Sequence, residues 1–177
     1  LELRNIGYGF VPVTPYYKMD KHLCDVLLTE GYYNSDYFDY KDFSNICQAI
    51  QMTKDLKGVY VEIGTYRGDS AKAALSYMKK AEISRESYFL DTYEGFYYDS
   101  ANNSSDCVWK DTHNDTSIEF VKDRLYEFKD FNLKKINIIL EEFPSDIEEI
   151  AVCNIDVDMY EAVKASLEKV KTKLVKG

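Results

Sequence analysis

The sequence predicts an α/β protein with a Rossmann-like parallel sheet flanked by helices on both faces. Short apolar runs alternate with amphipathic segments over most of the chain, which is typical of strands joined by crossover helices. The first apolar run also leads into a glycine turn and a helix start, and the next run ends in an acid, Asp91. This order of features is typical of an α/β protein that binds a nucleoside.

The 177 residues are enough for one domain. We expect an irregular arm or cap over residues 1–40 and a Rossmann-like domain over residues 41–177. The arm carries seven of the sixteen tyrosines and no long periodic segment. Its tyrosines could pack on the core surface, cover an acceptor pocket as a lid, or form contacts in a homodimer.

Periodicity and capping residues justify each element in turn. In chain order the sequence predicts a helix over 41–56, strand one over Val59–Ile63, a helix from Asp69 or Ser70 to about Lys80, strand two over about Ser87–Leu90, a helix from Asp115 or Thr116, strand three over Ile136–Leu140, a short helix after Pro144, strand four over Ala151–Ile155 and a helix over about Tyr160–Leu174. The strands are short apolar runs. The helices repeat apolar residues every three or four positions and begin at residues that favour a helix start.

Two further segments bear on organisation. Residues 93–115 form a long polar loop, and loops of this length in compact domains are commonly functional or disordered. In a series of this kind the last helix should lead into another strand, but no further strand pattern precedes Gly177. We therefore expect a sheet that lacks its C-terminal strands.

Composition argues against several classes of protein. The formal net charge of -9 and pI of about 4.8 disfavour binding to a nucleic-acid backbone. No apolar run approaches the ~20 residues that span a bilayer, and no signal peptide is visible. The four cysteines form no C-x-x-C pair, so we expect reduced thiols and neither zinc nor disulfides. These features predict a cytoplasmic protein without a membrane partner.

The turn from Glu62 to Gly68 is the first candidate site. It is not G-x-G-x-x-G, because Tyr66 stands where a dinucleotide fold needs its second glycine close to a pyrophosphate. A ligand without phosphates, such as S-adenosylmethionine, needs no such contact. Glu62 would repel a pyrophosphate but could attract an amino group. The alternative is a tight strand-to-helix turn that binds no ligand.

Acids at the ends of later strands form the other candidate sites. Asp91 could accept both ribose hydroxyls, or it could simply be a helix cap or a loop acid. The next residues, Thr92-Tyr93-Glu94-Gly95-Phe96, could shape an adenosine pocket. The remaining candidates each have a functional and a structural interpretation. Asp156 and Asp158 could be Mg²⁺ ligands, or Asp158 could cap the last helix while Asp156 binds backbone amides. Glu141 and Glu142 could lie at an adenine edge or in solvent, and His113 could be a general base or an incidental loop residue.

Three motifs together resemble the macrocin O-methyltransferase family: Gly58-Val-Tyr-Val-Glu62-Ile-Gly64-Thr-Tyr-Arg67-Gly68-Asp-Ser70, Leu90-Asp-Thr-Tyr-Glu-Gly-Phe96 and Ile155-Asp-Val-Asp-Met-Tyr-Glu161. The resemblance covers roughly residues 41–177. It implies a Rossmann-like methyltransferase with S-adenosylmethionine as donor, a hydroxyl acceptor that is often on a sugar, and Mg²⁺ to orient the acceptor. The family continues past the last helix with acids that complete the metal site.

The resemblance also implies roles for particular residues. Asp156 would be the first metal ligand, and Asp158 a second ligand or base, so both are the candidate catalytic residues. The candidate donor-binding residues are Glu62, Gly64, Thr65, Tyr66, Arg67, Gly68, Ser70, Asp91, Thr92, Tyr93, Phe96 and Glu141. Of these, Glu62, Gly64 and Gly68 would line the methionine end of the donor, and Asp91 would hold the ribose.

The sequence thus favours an S-adenosylmethionine-dependent O-methyltransferase that acts on a small molecule or a saccharide. One alternative is a non-catalytic remnant that only binds S-adenosylmethionine, since the final strands are missing. Another is an enzyme that uses NAD or a nucleotide sugar, although Tyr66 counts against it.

Overall fold

The computed structural model describes residues 21–29, 40–96, 102 and 104–177. Within these ranges, four parallel strands form one sheet in the order β3-β2-β1-β4. The strands are β1 Val59–Ile63, β2 Ser87–Asp91, β3 Phe131–Lys135 and β4 Ile150–Ile155. The helices are α1 Lys21–Thr29, α2 Tyr40–Met52, α3 Asp69–Lys80, α4 Ile118–Arg124 and α5 Tyr160–Val170, with a 3₁₀ helix over Ser105–Trp109.

Strand β1 lies in the middle of the sheet and divides the core into two layers. Because side chains alternate along a strand, Tyr60 faces the layer formed with α1, α2, α3 and α4. Val61 and Ile63 face the layer formed with α5 and the segment between β3 and β4. The prediction of a parallel sheet with helices on both faces is confirmed.

The register of the sheet aligns the carboxyl ends of its strands. Ile63 in β1 pairs with Leu90 in β2 and with Ile155 in β4. The loops that follow these three strands therefore start at one edge, which is where ligands bind in open parallel sheets.

Residues 1–40 were expected to form an irregular arm, but residues 21–29 of this range form the helix α1. Leu23 and Val26 on this helix are buried in the core. Nine residues give too few turns for a clear periodic signal, and tertiary packing supplies the missing stability. The remaining predictions for the arm, a lid or a dimer contact, fall on residues that lie almost wholly outside the described ranges.

Strand three was predicted wrongly over Ile136–Leu140. The strand that pairs with β2 is β3, whose residues are only partly buried and end in Lys134 and Lys135. An edge strand tolerates such charges, and so it lacks the apolar run that marks a central strand. Ile136 and Ile138, which suggested a strand, are buried just beyond β3.

Two smaller corrections concern the C-terminal third. The short helix expected directly after Pro144 is a turn, in which the Ile147 amide donates a hydrogen bond of 3.3 Å to the Pro144 carbonyl. The last helix ends at Val170, short of Leu174. Leu174 instead forms a parallel bridge with Ile150 at the outer side of β4. No helix in the described part of the chain is long and apolar enough to cross a membrane.

Candidate functional site

A cavity of about 320 Å³ opens at the carboxyl ends of β1, β2 and β4. Its volume lies at the lower end of the range for small-molecule sites. The described residues that line it are Ile63, Gly64, Thr65, Tyr66, Arg67, Asp69, Ser70, Leu90, Asp91, Thr92, Gly95, Phe96, Trp109, His113, Ile136, Ile138, Asp156, Val157 and Asp158. Most of the predicted donor-binding residues and both predicted catalytic residues therefore meet in one place.

Gly64 brings the ends of β1 and β4 into contact. Its φ is +96°, and a Cβ added there would lie 1.9 Å from the Asp156 carbonyl oxygen. The Asp156 amide in turn donates to the Ile63 carbonyl at 2.9 Å. No side chain larger than hydrogen fits between the two strands at this point.

Asp91 joins the two loops that form the floor of the cavity. Its Oδ2 accepts a hydrogen bond from the Tyr66 amide at 2.8 Å, and its Oδ1 accepts one from the Tyr93 amide at 2.7 Å. A carboxylate has about four acceptor sites. Two are therefore left for ligand hydroxyls, because Thr92 Oγ1, 3.4 Å from Oδ1, donates its single hydrogen to the Gly95 carbonyl at 2.7 Å.

Glu62 lies behind the cavity and supports it. The side chain is fully buried and accepts hydrogen bonds from Ser70 Oγ at 2.7 Å, Tyr60 OH at 2.9 Å and Asn154 Nδ2 at 3.3 Å. Burial raises the pKa of Glu62 to about 7, although the three donors oppose this shift. Ser70, which lines the cavity, is thus fixed from below by Glu62.

Asp156 and Asp158 both line the cavity beside β4. Asp158 has a φ of +54°, and burial raises the pKa of its carboxyl, a shift that the nearby His113 opposes. Among the described residues, no group of three or more histidines, cysteines, aspartates or glutamates is close enough to hold a metal ion.

Residues 104–117, which we call the strap, cross over the cavity. Near one end, Asp106 Oδ2 accepts a hydrogen bond from the Tyr160 amide at 3.0 Å, at the start of α5. Near the other end, Thr116 Oγ1 donates a hydrogen bond to the Tyr66 carbonyl at 2.7 Å, and the Tyr66 hydroxyl donates one to the Asp115 carboxylate. The strap is therefore attached on both the β4 side and the β1 side of the cavity.

Four predicted donor-binding residues are not among the lining residues. Glu62 is the buried support described above. Gly68 is the residue before α3, and its Cα lies against the Val121 side chain. Tyr93 is buried in the other core layer, where its hydroxyl donates to the Phe89 carbonyl at 3.0 Å. Glu141 is exposed, and its carboxylate accepts from the Asn137 amide at 2.7 Å within its own turn.

Sequence reasoning did not select several lining residues as site residues: Asp69, Trp109, Ile136 and Ile138. Gly95, which was expected to help shape an adenosine pocket, lines the cavity with a φ of +85°, a conformation that glycine adopts readily. Trp109 lies in the strap, and its position depends on contacts that are distant in sequence.

Comparison with known proteins agrees with this geometry. Residues 40–177 match the family described as Macrocin-O-methyltransferase (TylF). The O-methyltransferase NovP superposes with a TM-score of 0.67 at 17% identity, over 76% of this chain and 61% of NovP. CalS11, a calicheamicin methyltransferase, superposes with a TM-score of 0.60 at 14% identity, over 96% of this chain and 80% of CalS11.

These structural likenesses show a shared fold, and the match spans less than two thirds of the length of NovP. No curated protein sequence matches the chain significantly. The family match stands on its own, because it extends from α2 to the end of the chain. The protein belongs to the macrocin-O-methyltransferase (TylF) family.

Proposed function

We propose that this protein is an S-adenosylmethionine-dependent O-methyltransferase that acts on a hydroxyl of a small molecule or a saccharide. Family membership supports the reaction class. The observation that carries the proposal is the position of Asp91, whose carboxylate lines the cavity and is held by the Tyr66 and Tyr93 amides. In α/β folds that bind a nucleoside, an acid at this strand end accepts hydrogen bonds from the ribose hydroxyls.

The charge of the cavity favours this donor over a dinucleotide. Four of the described lining residues are aspartates and one is an arginine, Arg67, which pairs with Asp115 outside the cavity at 3.6 Å. An acidic site attracts a sulfonium cation and repels a pyrophosphate. Tyr66, with a φ of +50°, also occupies the turn where a dinucleotide fold would bring a glycine to the phosphates.

The residues of the cavity fit S-adenosylmethionine in chemistry as well as charge. Asp91 would accept the ribose hydroxyls, and Gly64 would let the ligand approach the β1 backbone. The apolar side chains of Phe96, Ile136 and Ile138 would cover an adenine ring. When bound, S-adenosylmethionine supplies an activated methyl group, and the protein aligns the acceptor oxygen with it and removes the hydroxyl proton.

A magnesium ion, which the family resemblance suggests, would find at most two protein carboxylates together among the described residues. Asp156 and Asp158 both line the cavity, but within the described ranges no third acid, histidine or cysteine is close enough to share a metal ion with them. Mg²⁺ commonly binds one or two carboxylates and keeps several waters. These two side chains could contribute to such a site without completing it, and we route no chemical step through a metal.

Calorimetric titration with S-adenosylhomocysteine and with NAD tests the donor class. We expect S-adenosylhomocysteine to bind, NAD to show no heat, and Asp91→Ala to weaken binding at least about tenfold, since charge-assisted bonds contribute roughly 1.5–3 kcal/mol. The matched control is Glu94→Ala, which removes an exposed acid three residues away. Binding of NAD but not of S-adenosylhomocysteine would overturn the proposal.

A second experiment separates an enzyme from a protein that only binds the donor. The chain is incubated with S-adenosylmethionine and a panel of mono- and disaccharides, and each product is checked by mass spectrometry for the mass of one added methyl group. Methylation of a hydroxyl supports the enzyme. Tight donor binding with no methylation of any acceptor would favour the non-catalytic alternative.

A further inference from the structure

The strap places one histidine, His113, at the cavity between the ends of β1 and β4. The two hydrogen bonds that attach the strap lie on either side of His113 in the sequence. Asp106 accepts from the Tyr160 amide, and Thr116 donates to the Tyr66 carbonyl. His113 lines the same cavity as Asp91 and Asp158. A residue held from both sides in this way is fixed relative to any ligand in the cavity.

Aromatic contacts fix the plane of the imidazole. The ring of Tyr66 lies edge-on at 4.6 Å and that of Phe96 at 5.0 Å, and Trp109 is 5.7 Å away. The backbone of His113 has a φ of +56°, a left-handed conformation that a non-glycine residue adopts at some cost in energy. The packing of three aromatic rings offsets this cost.

The neighbouring threonine fixes which nitrogen of His113 carries the proton. His113 Nδ1 lies 2.9 Å from Thr112 Oγ1, and that hydroxyl donates its single hydrogen to the Trp109 carbonyl at 2.6 Å. Both contacts are satisfied together only if Nδ1–H donates to the threonine oxygen. The neutral imidazole then has its lone pair on Nε2, on the opposite side of the ring.

We propose that His113 Nε2 is the base that accepts the hydroxyl proton of the methyl acceptor, with Thr112 as its positioning residue. This inference rests on the proposed function. As the acceptor oxygen forms a bond to the methyl carbon, the carbon–sulfur bond breaks and its electron pair stays on sulfur. The hydroxyl proton moves to Nε2, and the imidazolium then returns it to water. Charge and atoms balance, because the sulfonium charge is replaced by that of the released proton.

The tautomer can be measured without knowing the acceptor. The chain has two histidines, so ¹⁵N-histidine NMR spectra of the wild type and of His22→Ala assign both rings. We expect His113 to carry its proton on Nδ1, to keep it in Thr112→Ser, and to lose this preference in Thr112→Val. We also expect S-adenosylhomocysteine to shift the His113 signals and leave His22 unchanged. A proton on Nε2, or signals unaffected by S-adenosylhomocysteine, would overturn the inference.

Kinetics test the role directly, with a saccharide from the acceptor panel that the wild type methylates as the substrate. General bases contribute roughly 10²–10⁴-fold, so we expect His113→Ala to lower kcat at least about 100-fold while S-adenosylhomocysteine affinity changes less than about threefold. Added imidazole should restore part of the rate, which a purely structural role would not allow. Thr112→Val should lower kcat about tenfold or more and Thr112→Ser much less.

The outcomes separate this inference from the proposed function. If the wild type fails to bind S-adenosylhomocysteine, the donor proposal itself fails. If the wild type binds and transfers methyl groups but His113→Ala retains its kcat, only the role of His113 is wrong. His22→Ala, which removes the other histidine, is the matched control and should keep full activity.

Discussion

The Tyr66 amide donates a hydrogen bond of 2.8 Å to Asp91 Oδ2, although the two residues lie 25 positions apart in the sequence. This bond ties the turn after β1 to the end of β2. Because Asp91 also accepts from the Tyr93 amide at 2.7 Å, one carboxylate organises two loops of the cavity. The same side chain is therefore needed for the shape of the site and for its chemistry.

Asp91→Asn should reduce both stability and donor binding. An asparagine has one acceptor oxygen, so one of the two amides would face an NH₂ group and lose its partner. An unsatisfied buried donor costs roughly 1–3 kcal/mol, which predicts a fall in Tm of about 2–12 °C. Thermal unfolding followed by circular dichroism measures this effect. Glu94→Gln is the control, and an unchanged Tm in Asp91→Asn would show that the loops do not depend on this carboxylate.

Gly64→Ala should prevent the chain from folding normally. The left-handed conformation alone costs an alanine about 1–2 kcal/mol. A Cβ at 1.9 Å from the Asp156 carbonyl oxygen meets backbone that cannot move without separating β1 from β4. We expect insoluble protein or a Tm lowered by more than about 10 °C. Gly177→Ala is the control, because its Cβ would meet only the Leu56 side chain, at 3.2 Å. A soluble Gly64→Ala protein with wild-type Tm would contradict this packing.

Strong local patterns made the centre of the sheet predictable from the sequence. The prediction of β1 over Val59–Ile63 is confirmed because its run is apolar and bounded by glycines. Strand β3 was missed because Lys134 and Lys135 are acceptable at an edge, while the apolar residues nearby belong to a buried segment without strand pairing. The same error misplaced Glu141. It was predicted to follow the end of strand three, but β3 ends at Lys135, six residues earlier.

The candidate site was predictable where it follows strands and not where it depends on the strap. Gly64, Asp91 and Asp156 follow strand ends, and the alignment of parallel strands brings them together. Tyr93 was misplaced because its ring turns into the opposite layer of the core. Trp109 and His113 reach the cavity through contacts with Tyr66 and Phe96, and no local periodicity encodes such contacts.

Glu62 should make stability depend on pH. Its pKa rises from 4.5 to about 7 on burial, so the folded state binds the proton more tightly than the unfolded state. The stabilisation is fully present below pH 4.5 and is lost as the pH rises through 7, at a cost on the order of 3 kcal/mol. Urea unfolding at a series of pH values measures it. In Glu62→Gln this loss should disappear, whereas Glu168→Gln, at an exposed site, should follow the wild type. Parallel pH profiles for wild type and Glu62→Gln would contradict the prediction.

Asp106→Ala should loosen the strap from α5. The residue before this helix, Met159, provides no side-chain cap, and Asp106 supplies the acceptor for the Tyr160 amide from across the cavity. Loss of a helix cap costs about 0.5–2 kcal/mol, which predicts a fall in Tm of roughly 1–8 °C. Asp106→Asn keeps an acceptor oxygen and should lose less. Amide hydrogen exchange gives the local readout: we expect faster exchange at Tyr160 and in residues 104–117 of Asp106→Ala, with β1 unchanged. Equal exchange in the alanine and asparagine variants would show that the strap is held without this bond.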